Sequence, residues 1–416
     1  MTGKEKVQNA INHKEGKIPL DFGSTCVTGI HVSVIEQLRE YYGLEKRPVK
    51  VVEVIQMIGY IEDDLKDALG VDTDDFWAPF SAYGYKNENW KEWKTHWGQT
   101  VLVGEEFTVE DRDGDSYIYA CGDKNYPPAG LMPKTSFFFD HLDRQPELDE
   151  DNLDLADNLE EFGLIDDKTI EFFKREAQKH KSSKRFVGGM VGGSPLGDAA
   201  LVPGPMLKEP KGVRDLTEWY MSLITRPEYI YKIFEYQTEL AIQNHAKVYE
   251  AIGDAFDILY VCGADFGTQK SLLFSTEVFR DVYLPHYKKL NNWIHENTNW
   301  KTFKHCCGSI EPLLPLLIEA GFDIINPVQW TADNMDKKKL KDTYGKDLVF
   351  WGGGVDSQKT LPWGTPEEVR REVLETCEFF GKGGGFVFNS IHNIVAKTPI
   401  DNVVAMVNAL HEFNGD

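Results

Sequence analysis

The feature that most limits the fold of this chain is an alternation. Short β-branched or aromatic runs recur, and each leads into a longer segment of helical periodicity. The strand candidates are Ile18–Gly23, Thr73–Ala78, Arg185–Met190, Asp257–Gly263, Lys301–Cys306, Asp323–Val328, Leu348–Gly353 and Gly385–Ser390. A representative helix, TPEEVRREVLETCEFFG, opens with Thr365 as N-cap, Pro366 in the first turn and Glu368 at the capping-box position, and stops at Gly381. Strands and helices in strict alternation predict a (β/α)8 TIM barrel, a single α/β domain over residues 1–416. A doubly wound open sheet would call for a glycine fingerprint after the first strand, and DFGSTCVTG is not one.

One stretch breaks the rhythm. Residues 83–146 read as strands and turns, with Asp113-Gly114 as a hairpin turn, and are expected to form a β-rich insertion after the second strand. Trp90, Trp93 and Trp97 fall at helical spacing just there. They are either local packing or one wall of a pocket for an aromatic substrate.

Composition narrows the function. The net charge of −22 excludes a general electrostatic affinity for nucleic acid or an anionic membrane. No run approaches the roughly 18 apolar residues of a membrane span, and the start of the chain has no apolar signal region. Six cysteines are too sparse for a disulfide framework, so a reducing cytoplasm is expected.

Barrel chemistry belongs at the C-terminal ends of the strands. Those positions carry Asp265 and Gln269, then KHCCGS, then Asn326 and Gln329, then Gly353, Gly354 and Asp356, then Asn389 and His392. So many polar groups on one rim point to an enzyme. In His305-Cys306-Cys307, strand alternation sends His305 and Cys307 to one side and Cys306 to the other. Imidazole and thiolate suit Zn2+, and His392 is the leading third ligand, which would leave one position open for a substrate atom. The alternative is a metal-free rim in which His305 is hydrogen-bonded and Cys307 is buried.

The strings GADFGTQKSLLFSTEVFRDVYLPHYKKL, GGVDSQKTLPWGTPEEV and GGGFVFNSIHNIVAKTPIDNVVAM resemble the uroporphyrinogen decarboxylase superfamily, from about Phe186 to Asn408. The resemblance implies a (β/α)8 barrel. The superfamily also contains zinc-dependent methyltransferases that work with a corrinoid (cobalamin) protein on methyl groups from methanol, methylamines or aryl ethers. True decarboxylases carry an arginine-rich motif near the first strand that binds substrate carboxylates, whereas DFGSTCVTGIHVSV here holds no arginine. The methyltransferase branch has H-x-C-G after strand five, matched by His305, Cys307 and Gly308. Its usual third ligand is a cysteine after strand eight, where this chain has His392, so the implied metal set is His305, Cys307 and His392, with Asp265 able to join.

The resemblance thus implies a zinc-dependent methyltransferase moving a methyl group between a small molecule, foremost a methoxylated or aryl methyl ether, and a separate corrinoid partner protein. Asp265, His392, Asn326 and Gln329 would be catalytic, with Gly353, Gly354 and Asp356 binding cofactor. Oligomeric state is open, a homodimer included. The competing reading is a cofactor-free decarboxylase of a different carboxylate, with His392 and Asp265 handling protons and Arg185 or Lys304 contacting the anion.

Overall fold

A computed structural model of the chain describes residues 1–149, 153–192 and 195–416. Between residues 49 and 141 come β1 (Val49–Glu53), β2 (Ile58–Gly59), β3 (Thr73–Trp77), β4 (Lys91–Lys94), β5 (Thr100–Val103), β6 (Val109–Arg112), β7 (Asp115–Ile118), β8 (Gly130–Met132) and β9 (Asp140–His141). Beyond them β10 (Phe186–Met190), β11 (Ile258–Cys262), β12 (Lys301–His305), β13 (Ile324–Asn326), β14 (Val349–Trp351) and β15 (Phe386–Val387) are separated by helices. β3 and β10 to β15 form one seven-stranded parallel sheet whose spatial order follows the chain. Strand twist curls a sheet of this kind, and the result is TIM-like.

The strand expected over Ile18–Gly23 is reduced to a single bridge. Leu20 pairs in parallel with Phe388, Asp21 N–H donates to Phe388 O, and Asp72 N–H donates to Leu20 O. This segment therefore joins the two edges of the sheet. Its ladder is short for local reasons: Pro19 has no amide donor, and Leu20 N–H goes to the Asp72 carboxylate instead of a neighbouring strand. Asn389 adds a second tie, donating from Nδ2 to Asp21 O and Thr28 O.

Two apolar cores follow from the strand alternation. The larger lies between sheet and helices. The smaller fills the barrel, where Phe186, Ile258, Phe303, Ile324, Val349, Trp351 and Val387 meet Val7 and Ala10 of α1 (Gly3–Ile11). That helix, held by a Thr2–Glu5 capping box, stoppers the end where the strands begin, since Lys4 N–H reaches Lys184 O and Gly385 N–H reaches Ala10 O. Arg185 lies at the same end, paired with Asp63 at 3.0 Å and also with Asp67 and Asp74.

The β-rich region reaches outside residues 83–146. β1 and β2 join β4 and β5 in one four-stranded sheet, and β6 to β9 form another. Asp113 and Gly114 both have positive φ, as the tight β6–β7 turn requires. The helical spacing of the tryptophans is misleading, because Trp93 lies in β4, paired with Val101 across the Thr95–Gln99 turn. Its ring packs on Phe107 and Phe139, while Trp97 packs on His31 and Phe137.

One buried carboxylate crosses the barrel floor. Asp21 accepts from Thr73 Oγ1 at 2.6 Å, Ser24 Oγ at 2.8 Å and Trp351 Nε1 at 2.7 Å. Burial pushes its pKa up, and these donors oppose the rise. Asp21→Ala leaves the Trp351 and Thr73 donors unpaired, so stability is expected to fall by about 2–5 kcal/mol, read as a lower urea midpoint with an unchanged m-value.

Candidate metal centre

β12 and β13 pair in register, with His305 opposite Asn326. His305 Nδ1 lies 2.7 Å from Asn326 Oδ1, and Asn326 Nδ2 donates to Trp351 O at 2.9 Å. Because the amide nitrogen is committed to that carbonyl, its oxygen faces the ring, so Nδ1 carries the proton and Nε2 presents a lone pair. Cys307 Sγ is 3.4 Å from this Nε2. The ring of His392, on the loop after β15, meets that of His305 edge-on at 5.4 Å between centroids. Ligand atoms of His305, Cys307 and His392 all lie within 4.8 Å of one another. Cys306 points the other way into the outer core, fully buried, and its sulfur accepts Phe266 N–H.

The next residues brace this cluster. Asp265 Oδ1 accepts Cys307 N–H at 2.6 Å and lies 3.8 Å from His305 Nε2. Gln329 Oε1 accepts Gly308 N–H, and Gln329 Nε2 donates to Gln269 Oε1. Gly308 has φ +92°, and a Cβ there would stand 2.6 Å from the backbone of Gly267 and Thr268. No other residue fits that turn without displacing the loop. Gly353, Gly354 and Asp356, expected to bind cofactor, also hold the fold of the rim. A Cβ on Gly353 would meet Val328 O, one on Gly354 would meet the Phe388 ring, and Asp356 accepts from Gln358 and Lys359 N–H.

The donor chemistry fits a divalent ion. Burial lowers His305 and holds His392 down to about 4, and repulsion between the two rings opposes charging both, so both imidazoles are neutral at pH 7. Burial pushes the Cys307 thiol well up. Two neutral imidazoles and a thiol are the forms that accept a cation, the thiol losing its proton as it does so.

Four further titratable side chains lie near one another and were not flagged by sequence patterns. Cys26 is near Glu53, Asp198 and Tyr260, and Asp198 is near Asp265. Burial raises Asp198 to about 6, and the Asp265 charge adds to the rise. Glu53 is raised by burial to about 7, against two amide donors, Ile55 N–H and Gln56 N–H. Tyr260 was readable by strand parity, being two residues beyond the inward Ile258. Cys26, Glu53 and Asp198 come from irregular segments or a small sheet, and no periodicity marks them.

Asn326→Ala removes the acceptor that fixes the His305 tautomer. Affinity for a divalent metal is expected to fall about 10- to 100-fold, measured by competition against a chromogenic chelator, while the circular dichroism spectrum stays unchanged.

A family model described as uroporphyrinogen decarboxylase (URO-D) matches residues 204–413, half of the chain. The segment includes Asp265, His305, Cys307, Asn326, Gln329 and His392. The chain is 36% identical over 94 residues to a uroporphyrinogen decarboxylase of Pseudoalteromonas translucida (strain TAC 125), covering 23% of this chain and 25% of that protein. It is 34% identical over 101 residues to one from Psychromonas ingrahamii, covering 24% and 27%. These matches span about a quarter of the length of the curated relatives. In fold it is similar to a methyltransferase from Methanosarcina mazei, with TM-score 0.55, 17% identity and 99% of both chains covered. The match over half its length settles the lineage: this chain belongs to the uroporphyrinogen decarboxylase (URO-D) family.

Proposed function

We propose that this protein is a zinc-dependent methyltransferase that moves a methyl group between a small molecule, foremost a methoxylated aryl ether, and a corrinoid carried by a separate protein. The observation that carries the reading is the convergence of His305, Cys307 and His392 within 4.8 Å at the barrel mouth. Bound there, Zn2+ supplies Lewis acidity for an oxygen leaving group, since alkoxide and phenoxide leave poorly without charge stabilisation.

The chain's own groups set up that chemistry. Asn326 keeps the proton on His305 Nδ1, so Nε2 stays a donor atom. Asp265 fixes the Cys307 amide and with it the direction of the thiol. Asp198 and Glu53, raised by burial to pKa values of about 6 and about 7, can hold and release protons around neutral pH.

Electrostatics favour this reading over decarboxylation of a polycarboxylate. The loop after Ile18–Phe22, where decarboxylases are expected to place arginines, instead puts Val27 and Cys26 against the inner core. Arg185 is paired with three carboxylates at the opposite end of the barrel. Lys304 is fully buried and bonded to backbone carbonyls. An anion approaching the His305 cluster would meet Asp265, with Asp198 beside it, instead of a guanidinium.

Two measurements test the proposal. Zinc-loaded protein mixed anaerobically with cob(I)alamin and a methoxyphenol should give methylcobalamin and the corresponding dihydroxybenzene, the departing oxygen taking up one proton. His305→Ala and Cys307→Ala should lose bound metal and lower the rate at least about 100-fold, and undiminished turnover in both metal-free variants would sink the idea. Zinc uptake at pH 7 should release about one proton, from Cys307, because both imidazoles are already neutral. Affinity should fall about tenfold per pH unit below 7 as protons compete at Cys307, and more steeply toward pH 4, where His392 also gains a proton. Calorimetry in buffers of differing ionisation enthalpy reads the proton count.

A further inference from the structure

β-Strand alternation puts Thr302, Lys304 and Cys306 on the face of β12 that meets the helices. Lys304 is fully buried there. Among the described residues it forms no ion pair. Its Nζ donates to Ala264 O at 2.6 Å and His305 O at 2.5 Å, and it lies 4.7 Å from the Phe266 ring centre and 5.9 Å from that of Tyr287. A buried ammonium without a carboxylate is costly, and an apolar side chain would fill the same space more cheaply. Something at this point of the fold calls for its donors.

The sheet itself supplies the reason. β11 and β12 pair regularly as far as Tyr260 and Phe303, then slip by one residue, so that Cys262 faces Lys304. Beyond the slip the strands splay. Cys306 N–H turns to Asn326 O on the other side, and Cys307 N–H turns to the Asp265 carboxylate. The carbonyls of Ala264 and His305 are left at the gap, where buried acceptors without donors would be expensive. One residue past Ala264 is Asp265, and two past His305 is Cys307.

We propose that Lys304 is a positioning residue for the metal centre, clamping Ala264 O to His305 O and so fixing the two splayed strand ends that carry Asp265, His305 and Cys307. The inference rests on the metal reading above. It assigns a role to a residue that touches neither metal nor substrate. The clamp works through hydrogen bonds, so donor capacity decides its strength.

Co2+ is the probe, because its visible d–d bands report ligand geometry, whereas Zn2+ is silent. Co2+ is titrated into the purified full chain as wild type, Lys304→Gln and Lys304→Met, with circular dichroism as the check on folding. Glutamine keeps two N–H donors on a shorter arm, and methionine keeps the volume without donors. The expected result is graded: a small displacement of the bands with about threefold weaker binding for Lys304→Gln, and a larger displacement with at least about tenfold weaker binding for Lys304→Met. A role confined to stability would lower the melting temperature of both and leave the bands in place. Folded Lys304→Met with wild-type bands and affinity within twofold overturns the clamp, as does equal loss in the two variants. If Lys304→Met does not fold, unchanged bands and affinity in Lys304→Gln overturn it alone. Wild-type protein that binds no Co2+ overturns the metal reading as well, which a failure of the clamp alone does not.

Discussion

The hydrogen bond between His305 Nδ1 and Asn326 Oδ1 is the interaction on which the rest of the site depends. It is a product of register. Neighbouring parallel strands present paired residues on the same face, and β12 and β13 pair Phe303 with Ile324, Lys304 with Ile325 and His305 with Asn326. A slip of one residue would set His305 beside Ile325 and leave the imidazole with no acceptor. The next strand finishes the arrangement, because Trp351 O takes the Asn326 amide hydrogen and decides which way its oxygen faces. Three adjacent strands thereby determine the tautomer of one ring.

The barrel divides stability from chemistry along its axis. At the end where the strands begin, α1 seals an apolar interior, Arg185 and Lys66 hold carboxylates in ion pairs, and Asp21 is saturated with donors. At the end where the strands finish, imidazoles, thiols and carboxylates gather, and burial raises two carboxylates, Glu53 and Asp198, well above their ordinary range. Dense packing below lets the polar groups above be held precisely although they come from distant parts of the chain.

How far the sequence discloses this depends on the kind of signal. The parallel strands from Thr73 onward are legible because each is a short β-branched or aromatic run, and strands covered on both faces consist of such runs. The first stave misleads, since IPLDFG has the composition of a strand while Pro19 lacks a donor and Asp21 is drawn into side-chain bonds. The tryptophans mislead for a different reason. Three large residues at spacings of three and four fit a helix, but the chain turns at Thr95–Gln99 and uses Trp93 across a hairpin. His305 and Cys307 can be placed on one face by alternation alone. The grouping of Cys26, Glu53 and Asp198 cannot, because they meet through tertiary contacts that no local period encodes.

Charge ties these observations to substrate choice. A pocket that holds a polycarboxylate needs fixed cations whose own desolvation is offset by the bound anion. Here the buried cations near the barrel are satisfied by the protein: Lys66 by Asp74 and Asp75, and Lys304 by two carbonyls. The mouth itself offers neutral imidazoles, a protonated thiol and carboxylates disfavoured as anions by burial. The three candidate ligands are thus uncharged until a divalent ion enters. Once one does, the single thiolate offsets only part of its charge, and the nearest remaining compensation is Asp265, 3.8 Å from His305 Nε2. If a divalent ion binds as proposed, the same burial that keeps these ligands uncharged without it would strengthen the field of its uncompensated charge.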